Sequence, residues 1–264
     1  MSVLLVDKRE GYRVLTLNRP ERLNAFNVPL HEALQAAIDE AGADERCRAL
    51  LITGAGRGFC SGQDLHDRIM KPGQSAVAGE SLLKHYNPLV RKIRALPFPV
   101  VAAVNGVAAG AGCNFALACD IVLAARSATF VEAFARIGLL PDVGGTWFLP
   151  RLVGLARARG MALLAEPISA EQAAAWGLIW KVFDDGELMS VAEKMCERFA
   201  KAPTFALGLT KRALDASMKN DLDAQLQLEY ELQKLAGSSP DYAEGVRAFI
   251  EKRKPAFTGA KVKG

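Results

Sequence analysis

The chain has 264 residues, half of them hydrophobic and 23% charged, with a formal net charge of +4. That balance allows a large packed core and excludes a mostly disordered chain, and so small a charge does not mark a nucleic-acid binder. The five cysteines are scattered without a CxxC pair, and the three histidines lie far apart, so neither a disulfide framework nor a metal site is expected.

The N-terminal MSVLLVDKRE carries only a four-residue apolar run before charges, too short for a signal peptide or a membrane span, so a reducing cytoplasm is expected. SVLLVDKREGYRVLTLNRP reads as a hairpin around Glu10-Gly11. VPLHEALQAAIDEAGAD has helical spacing, with Leu30, Leu34, Ala37 and Ile38 on one stripe. RALLITGAG is a continuous apolar run ending in glycine, as a buried strand would be. The alternation continues with a helix around LLKHYNPLVRKIRAL, the strand PVVAAVNG, the glycine-rich GVAAGAG, further strand in DIVLAARSATFVEA, and helices from Gly145 onward. Such alternation predicts an α/β fold whose main sheet is covered on both faces. From about residue 186 four helical patterns follow one another without a strand, the last announced by Ser239-Pro240-Asp241. An all-helical end with apolar stripes reads as a packing or oligomerisation layer.

Two junctions carry chemical interest. GRGFCSGQDL follows one strand and NGVAAGAGCNFAL another, and in both the spacing predicts small residues leading into a helix. Backbone N–H groups at such a junction suit an anion or a developing oxyanion. Taken alone, each reads as ordinary strand-to-helix punctuation; neither is a Walker loop, and AAGAG lacks the spacing and downstream acid of a dinucleotide fingerprint. Asp142, between Pro141 and Gly144-Gly145, reads by itself as a helix cap. Cys60 and Cys113 beside the turns read as packing residues.

RPERLNAF, GRGFCSGQDL, AAVNGVAAGAGCNFALACDI and GLLPDVGGTWFLPRLVG, in this order and spacing, resemble the crotonase (enoyl-CoA hydratase/isomerase) superfamily essentially end to end. Within it the sequence is most similar to the isomerases of bacterial phenylacetate degradation that turn ring-1,2-epoxyphenylacetyl-CoA into oxepin-CoA. The resemblance implies a crotonase-like core of repeated ββα units over residues 1–185, and a C-terminal helical region over 186–264 that builds a trimer or a dimer of trimers. It implies an acyl-CoA substrate, with no metal, no separate cofactor, no nucleic acid and no membrane.

By position, the resemblance gives the oxyanion hole to the amides of Gln63 and Ala111, the latter between Gly110 and Gly112. It sets Gln63, Asp64, Leu65 and His66 along the coenzyme A channel, with Arg22 and Ala25 near the nucleotide and Lys252 or Lys254 towards a CoA phosphate. The two glutamates of the hydratases fall here at Asn114 and Phe134. An amide and a phenyl ring do not relay protons, so Asp142 is expected to be the sole shuttle of an enolate-forming isomerase, also able to move a 3-enoyl double bond to C2. Asn114 is a candidate to orient an epoxide oxygen. Glu132, which on a strand would share the face of Phe134, is the rival acid and is assigned to structure or substrate fit. The alternatives are a hydratase or acyl-CoA hydrolase, and an RNA-binding member of the superfamily with steeply salt-dependent affinity.

Overall fold

The computed structural model describes residues 2–68 and 78–260. The loop MKPGQSAVAGESLLKHYN, expected to wall the pocket, falls partly outside them, as does the terminal KVKG. The chain opens with β1 (Leu4–Arg9) and β2 (Tyr12–Leu17), an antiparallel pair joined at Glu10-Gly11, then α1 (Val28–Ala43). Asn27 starts α1 by accepting the Leu30 N–H, and the stripe Leu30, Leu34, Ala37 and Ile38 is buried as its spacing predicts.

Next come β3 (Leu50–Gly54), β4 (Gly58–Cys60), α2 (Ala78–Ser81), a π-helical turn over Leu82–Tyr86 and α3 (Asn87–Ala95). β5 (Val100–Val104), β6 (Val107–Ala109) and α4 (Ala111–Leu117) follow, then β7 (Ile121–Ala125), β8 (Thr129–Val131) and α5 (Gly145–Leu164). β9 (Ile168–Ser169), α6 (Ala170–Ala175) and β10 (Lys181–Phe183) lead to four helices: α7 (Leu188–Ala200), α8 (Thr204–Ser217), α9 (Leu222–Gly237) and α10 (Pro240–Ile250).

The strands make two sheets. The larger runs β1-β2-β3-β5-β7-β10 and is parallel from β2 onward; the smaller runs β4-β6-β8-β9. Every residue of β3 and β5 is buried, which requires cover on both faces and explains why these runs are apolar without alternation. α7 packs against β2, β3, β5 and β7. Three times the chain leaves the large sheet, turns within a few residues, and lays a short strand in the small one: β3 to β4, β5 to β6, β7 to β8.

That repeat positions the site, because β4, β6 and β8 lie side by side and deliver their C-terminal ends to one place. The ends hold Gly62-Gln63, Gly110-Ala111 and Glu132. One expectation is corrected here. After β4 the described residues continue into a four-residue 3-10 helix, Leu65–Arg68, so the first glycine turn does not open directly into an α-helix. The second does: Ala111 is the first residue of α4.

Candidate active site

The two glycine turns, about fifty residues apart in sequence, meet in space. A Cβ placed on Gly62 would lie 2.9 Å from the Ala109 carbonyl oxygen and 3.4 Å from the Ala111 nitrogen. A Cβ on Gly112 would lie 2.2 Å from the Cys60 carbonyl oxygen, so only glycine allows the start of α4 to press against the end of β4. Among the described residues, neither the Gln63 nor the Ala111 amide N–H is engaged in the turn and loop hydrogen bonds. The Ala111 amide is one of the first-turn donors that no helix can satisfy internally.

The Gln63 peptide is held from both sides. Phe26 N donates to Gly62 O (2.7 Å), and Asp64 N donates to Phe26 O (2.9 Å). The Gln63 side chain is clamped as well: Nε2 donates to Phe26 O (3.1 Å), and the Tyr86 hydroxyl donates to Oε1 (2.9 Å). Tyr86 closes the π-helical turn, an irregularity that often marks a functional segment. Buried Asn24, the asparagine of RPERLNAF, donates to Ala55 O and Gly58 O and so pins the first motif to the second.

Asp142 sits beyond β8, just before α5. Its carboxyl does not cap that helix: Gly144 holds the N-cap position, no side chain caps it, and the Gly145 N–H goes to the Asp142 main-chain oxygen (2.8 Å). Asp142 is half-buried, and its Oδ1 is buried without a hydrogen-bond partner among the described residues. Burial pushes the carboxyl from 3.8 up to about 6, opposed mainly by its own backbone N–H. The next residue, Val143, is β-branched yet has φ 53. A bulky side chain in that region is an outlier of the kind that collects at functional sites, at a cost on the order of 1–3 kcal/mol.

Asn114 is fully buried on α4, one turn after Ala111, and its Nδ2 donates twice: to the Asp142 main-chain oxygen (2.9 Å) and to Glu132 Oε2 (3.2 Å). Gly145 makes room for it, since a Cβ there would lie 2.2 Å from Asn114 Nδ2. Glu132 is wholly inaccessible to solvent, and burial pushes it from 4.5 up to about 7; the Cys113 thiol and the Asn114 amide pull it down, and the charge of Asp142 pushes it further up. Among the described residues, Asn114 Oδ1, Glu132 Oε1 and Asp142 Oδ1 find no hydrogen-bond partner. Unsatisfied buried polar atoms gathered in one network call for a specific reason, and a site built for a polar guest supplies it.

Phe134 is buried in the 3-10 helix Ala133–Ile137, its ring 3.7 Å from where a Gly110 Cβ would stand. β8 ends at Val131, so the strand alternation that would set Glu132 and Phe134 on one face does not operate; Glu132 is the N-cap residue of that 3-10 helix.

A second group forms beside the turn after β4. Arg19 donates to Asp64 Oδ2 (2.9 Å), and Asp64 Oδ1 accepts from the His66 N–H (3.2 Å). Burial raises the Asp64 carboxyl, but Arg19 and His66 more than reverse this and hold it below 3.8. Exposed Arg22 reaches His66 Nε2 (3.5 Å), Leu65 is half exposed, and Ala25 is buried beside them with its carbonyl on Arg19. Lys252 is exposed after α10 and, among the described residues, is not a partner in the side-chain hydrogen bonds of this group. Sequence reasoning passed over Arg19, Asn24 and Tyr86. The available signal was weak: Arg19 and Asn24 are ordinary polar residues within RPERLNAF, and Tyr86 lies in a helical pattern with no motif of its own.

The enoyl-CoA hydratase/isomerase family matches residues 7–260. The chain belongs to this family. Among its members, the 1,2-epoxyphenylacetyl-CoA isomerase of Escherichia coli K12 is 54% identical over 98% of this chain and 99% of its own length. A Rhodobacter capsulatus member named "Probable enoyl-CoA hydratase" is 50% identical over 95% of both chains. The enoyl-CoA hydratase of Bacillus anthracis, solved at 1.8 Å, superposes with a TM-score of 0.92 at 32% identity, covering 98% of this chain and all of that one. The crotonase fold expected from the motifs is therefore the fold of this family member.

Proposed function

We propose that this chain is an acyl-CoA isomerase that converts ring-1,2-epoxyphenylacetyl-CoA to oxepin-CoA, and that it also shifts 3-enoyl-CoA to 2-enoyl-CoA. The high identity to the Escherichia coli isomerase supports the substrate. The observation that carries the mechanism is the Asp142 carboxyl: half-buried, uncapping, with Oδ1 buried and unpartnered among the described residues, and raised to about 6. In this reading the thioester oxygen sits between the Gln63 and Ala111 amides. Asp142 then takes a proton from C2 as charge moves onto that oxygen. Two preorganised donors matter because losing one of a comparable pair costs about 10²–10³ in kcat. The abstracted proton returns elsewhere on the same face for the allylic shift; with the epoxide, loss of the α-proton lets the ring reorganise to the oxepin, and Asp142 returns the proton to a ring carbon, so no atom is gained or lost. Asp64, Leu65, His66, Arg22 and Ala25 receive the coenzyme A portion, Asn114 and Phe134 bound the acyl end, and Lys252 serves a CoA phosphate.

Hydration is the competing reading, favoured by the second buried carboxyl, Glu132, and by the name of the Rhodobacter relative. Against it, Glu132 is closed to solvent and the two hydratase positions hold Asn114 and Phe134. A panel of CoA thioesters in deuterated water, read by mass spectrometry, separates the readings. Isomerisation gives a product of unchanged composition, with deuterium only at exchangeable carbons. Hydration gives hydroxyacyl-CoA, and its dominance would refute the proposal.

The exposed apolar side chains of the last helices, Leu222, Leu226, Tyr230, Phe249 and Ile250 among them, support the trimer or dimer of trimers.

A further inference from the structure

Glu132 stands outside the mechanism above, yet it is the only carboxyl besides Asp142 that the described residues hold above its ordinary range. Glutamate is among the residues least often fully buried unless paired with a cation, and among the described residues no cation pairs with Glu132. The groups against it are the Asn114 amide, the Cys113 thiol and, through its charge, Asp142. Of these only Cys113 and Asp142 titrate, and burial keeps the thiol protonated well above 9. The Glu132 carboxyl and the Asp142 main chain thus share one carboxamide: Asn114 gives one N–H to Glu132 Oε2 and the other to the Asp142 carbonyl oxygen.

We infer that Glu132 is a positioning residue that must stay neutral for the reaction: as an uncharged acceptor it orients the Asn114 amide, which in turn holds the turn presenting Asp142. The inference rests on the reading of Asp142 as the base.

Three steps carry it. A neutral carboxyl is a modest acceptor, so both Asn114 N–H groups keep their places. An ionised Glu132 would form a stronger, charge-assisted bond and draw the amide away from the Asp142 carbonyl. It would also add a second negative charge, in a site of low dielectric, next to an intermediate that is itself anionic. Asp142 is half-buried whereas Glu132 is closed to solvent, so Asp142 ionises first and a working window with one charged and one neutral acid exists. The pair titrates as a unit, and the falling limb belongs to its second step.

The test is the pH profile of kcat/KM for the wild type, Glu132→Gln, Glu132→Ala and, as control, Asp142→Asn. The wild type should rise through about 6 and fall through about 7 or above. Gln, a neutral isostere, should keep the rate at pH 6 within about threefold and abolish the fall, making it about tenfold faster than wild type at pH 8.5. Ala should lose at least about tenfold at every pH, mostly in kcat. A falling limb that persists unchanged in Glu132→Gln, or wild-type rates in Glu132→Ala, overturns the inference. If Asp142→Asn retains activity, the reading of Asp142 fails instead. Should Glu132→Gln not fold, infrared spectra of Asp142→Asn decide the matter. A protonated-carboxyl band surviving at pH 6 and lost on titration supports a neutral Glu132, and its absence refutes one.

Discussion

Asp142 and Glu132 leave a mark on stability as well as on rate. Both are raised in the folded state, from 3.8 to about 6 and from 4.5 to about 7. Below the ordinary values both are neutral, folded and unfolded alike. Between the ordinary and the raised values only the unfolded chain ionises, so stability is lost as pH rises through that window and is constant above it. Asp142→Asn should therefore gain thermal stability relative to wild type progressively between about pH 4 and 6, with no further gain above, as thermal unfolding across pH would show. A stability difference independent of pH would mean the carboxyl is not desolvated. Asp142 stood out in the sequence because it lies between proline and a glycine pair. Its partner network did not, since nothing in a linear reading brings Asn114, Glu132 and Asp142 to one point. The strand alternation that would set Glu132 beside Phe134 does not apply, because β8 is three residues long and stops before it.

At the scale of elements, the close approach of α4 to β4 is the vulnerable contact. Gly112→Ala would set a methyl 2.2 Å from the Cys60 carbonyl oxygen, and backbone cannot yield as a flexible side chain does. The two amides should move apart, with kcat falling by about 10²-fold or more and KM changing less; steady-state kinetics on a folded variant would check this. Normal turnover would place the oxyanion elsewhere. The long elements were legible because their patterns are: the α1 stripe, the unbroken apolar runs of β3 and β5, and the four terminal helices. The small sheet was not. GFC, VAA and TFV are strands of three residues, too short to show a period, and they are held by their neighbours in the sheet. The helix expected after the first glycine turn shrank to one 3-10 turn for a related reason. Gly62 and Asp64 pair across to Phe26, which fixes the backbone as an extended bridge.

For the whole molecule, the terminal helices leave more large apolar surface exposed than an isolated domain keeps: Leu222 is 73% exposed, Tyr230 64% and Phe249 86%. Sedimentation equilibrium should return a mass of three or six chains. Leu226→Asp combined with Tyr230→Asp should lower it, with loss of thermal stability, because a charge buried in such a contact has no partner. A monomer at micromolar concentration would contradict the assembly proposed here. α7, by contrast, is part of the core, packed across the large sheet.

The central claim is that one carboxylate does the proton work beside two main-chain amides. Its most direct measurement is the isomerisation rate of Asp142→Asn with ring-1,2-epoxyphenylacetyl-CoA, on protein whose circular dichroism and oligomeric mass match the wild type. The account predicts a fall of about 10²–10⁴-fold in kcat, the range a general base supplies, while the CoA thioester still binds. A rate within about twofold of wild type would contradict it, since an amide of the same shape cannot accept the α-proton.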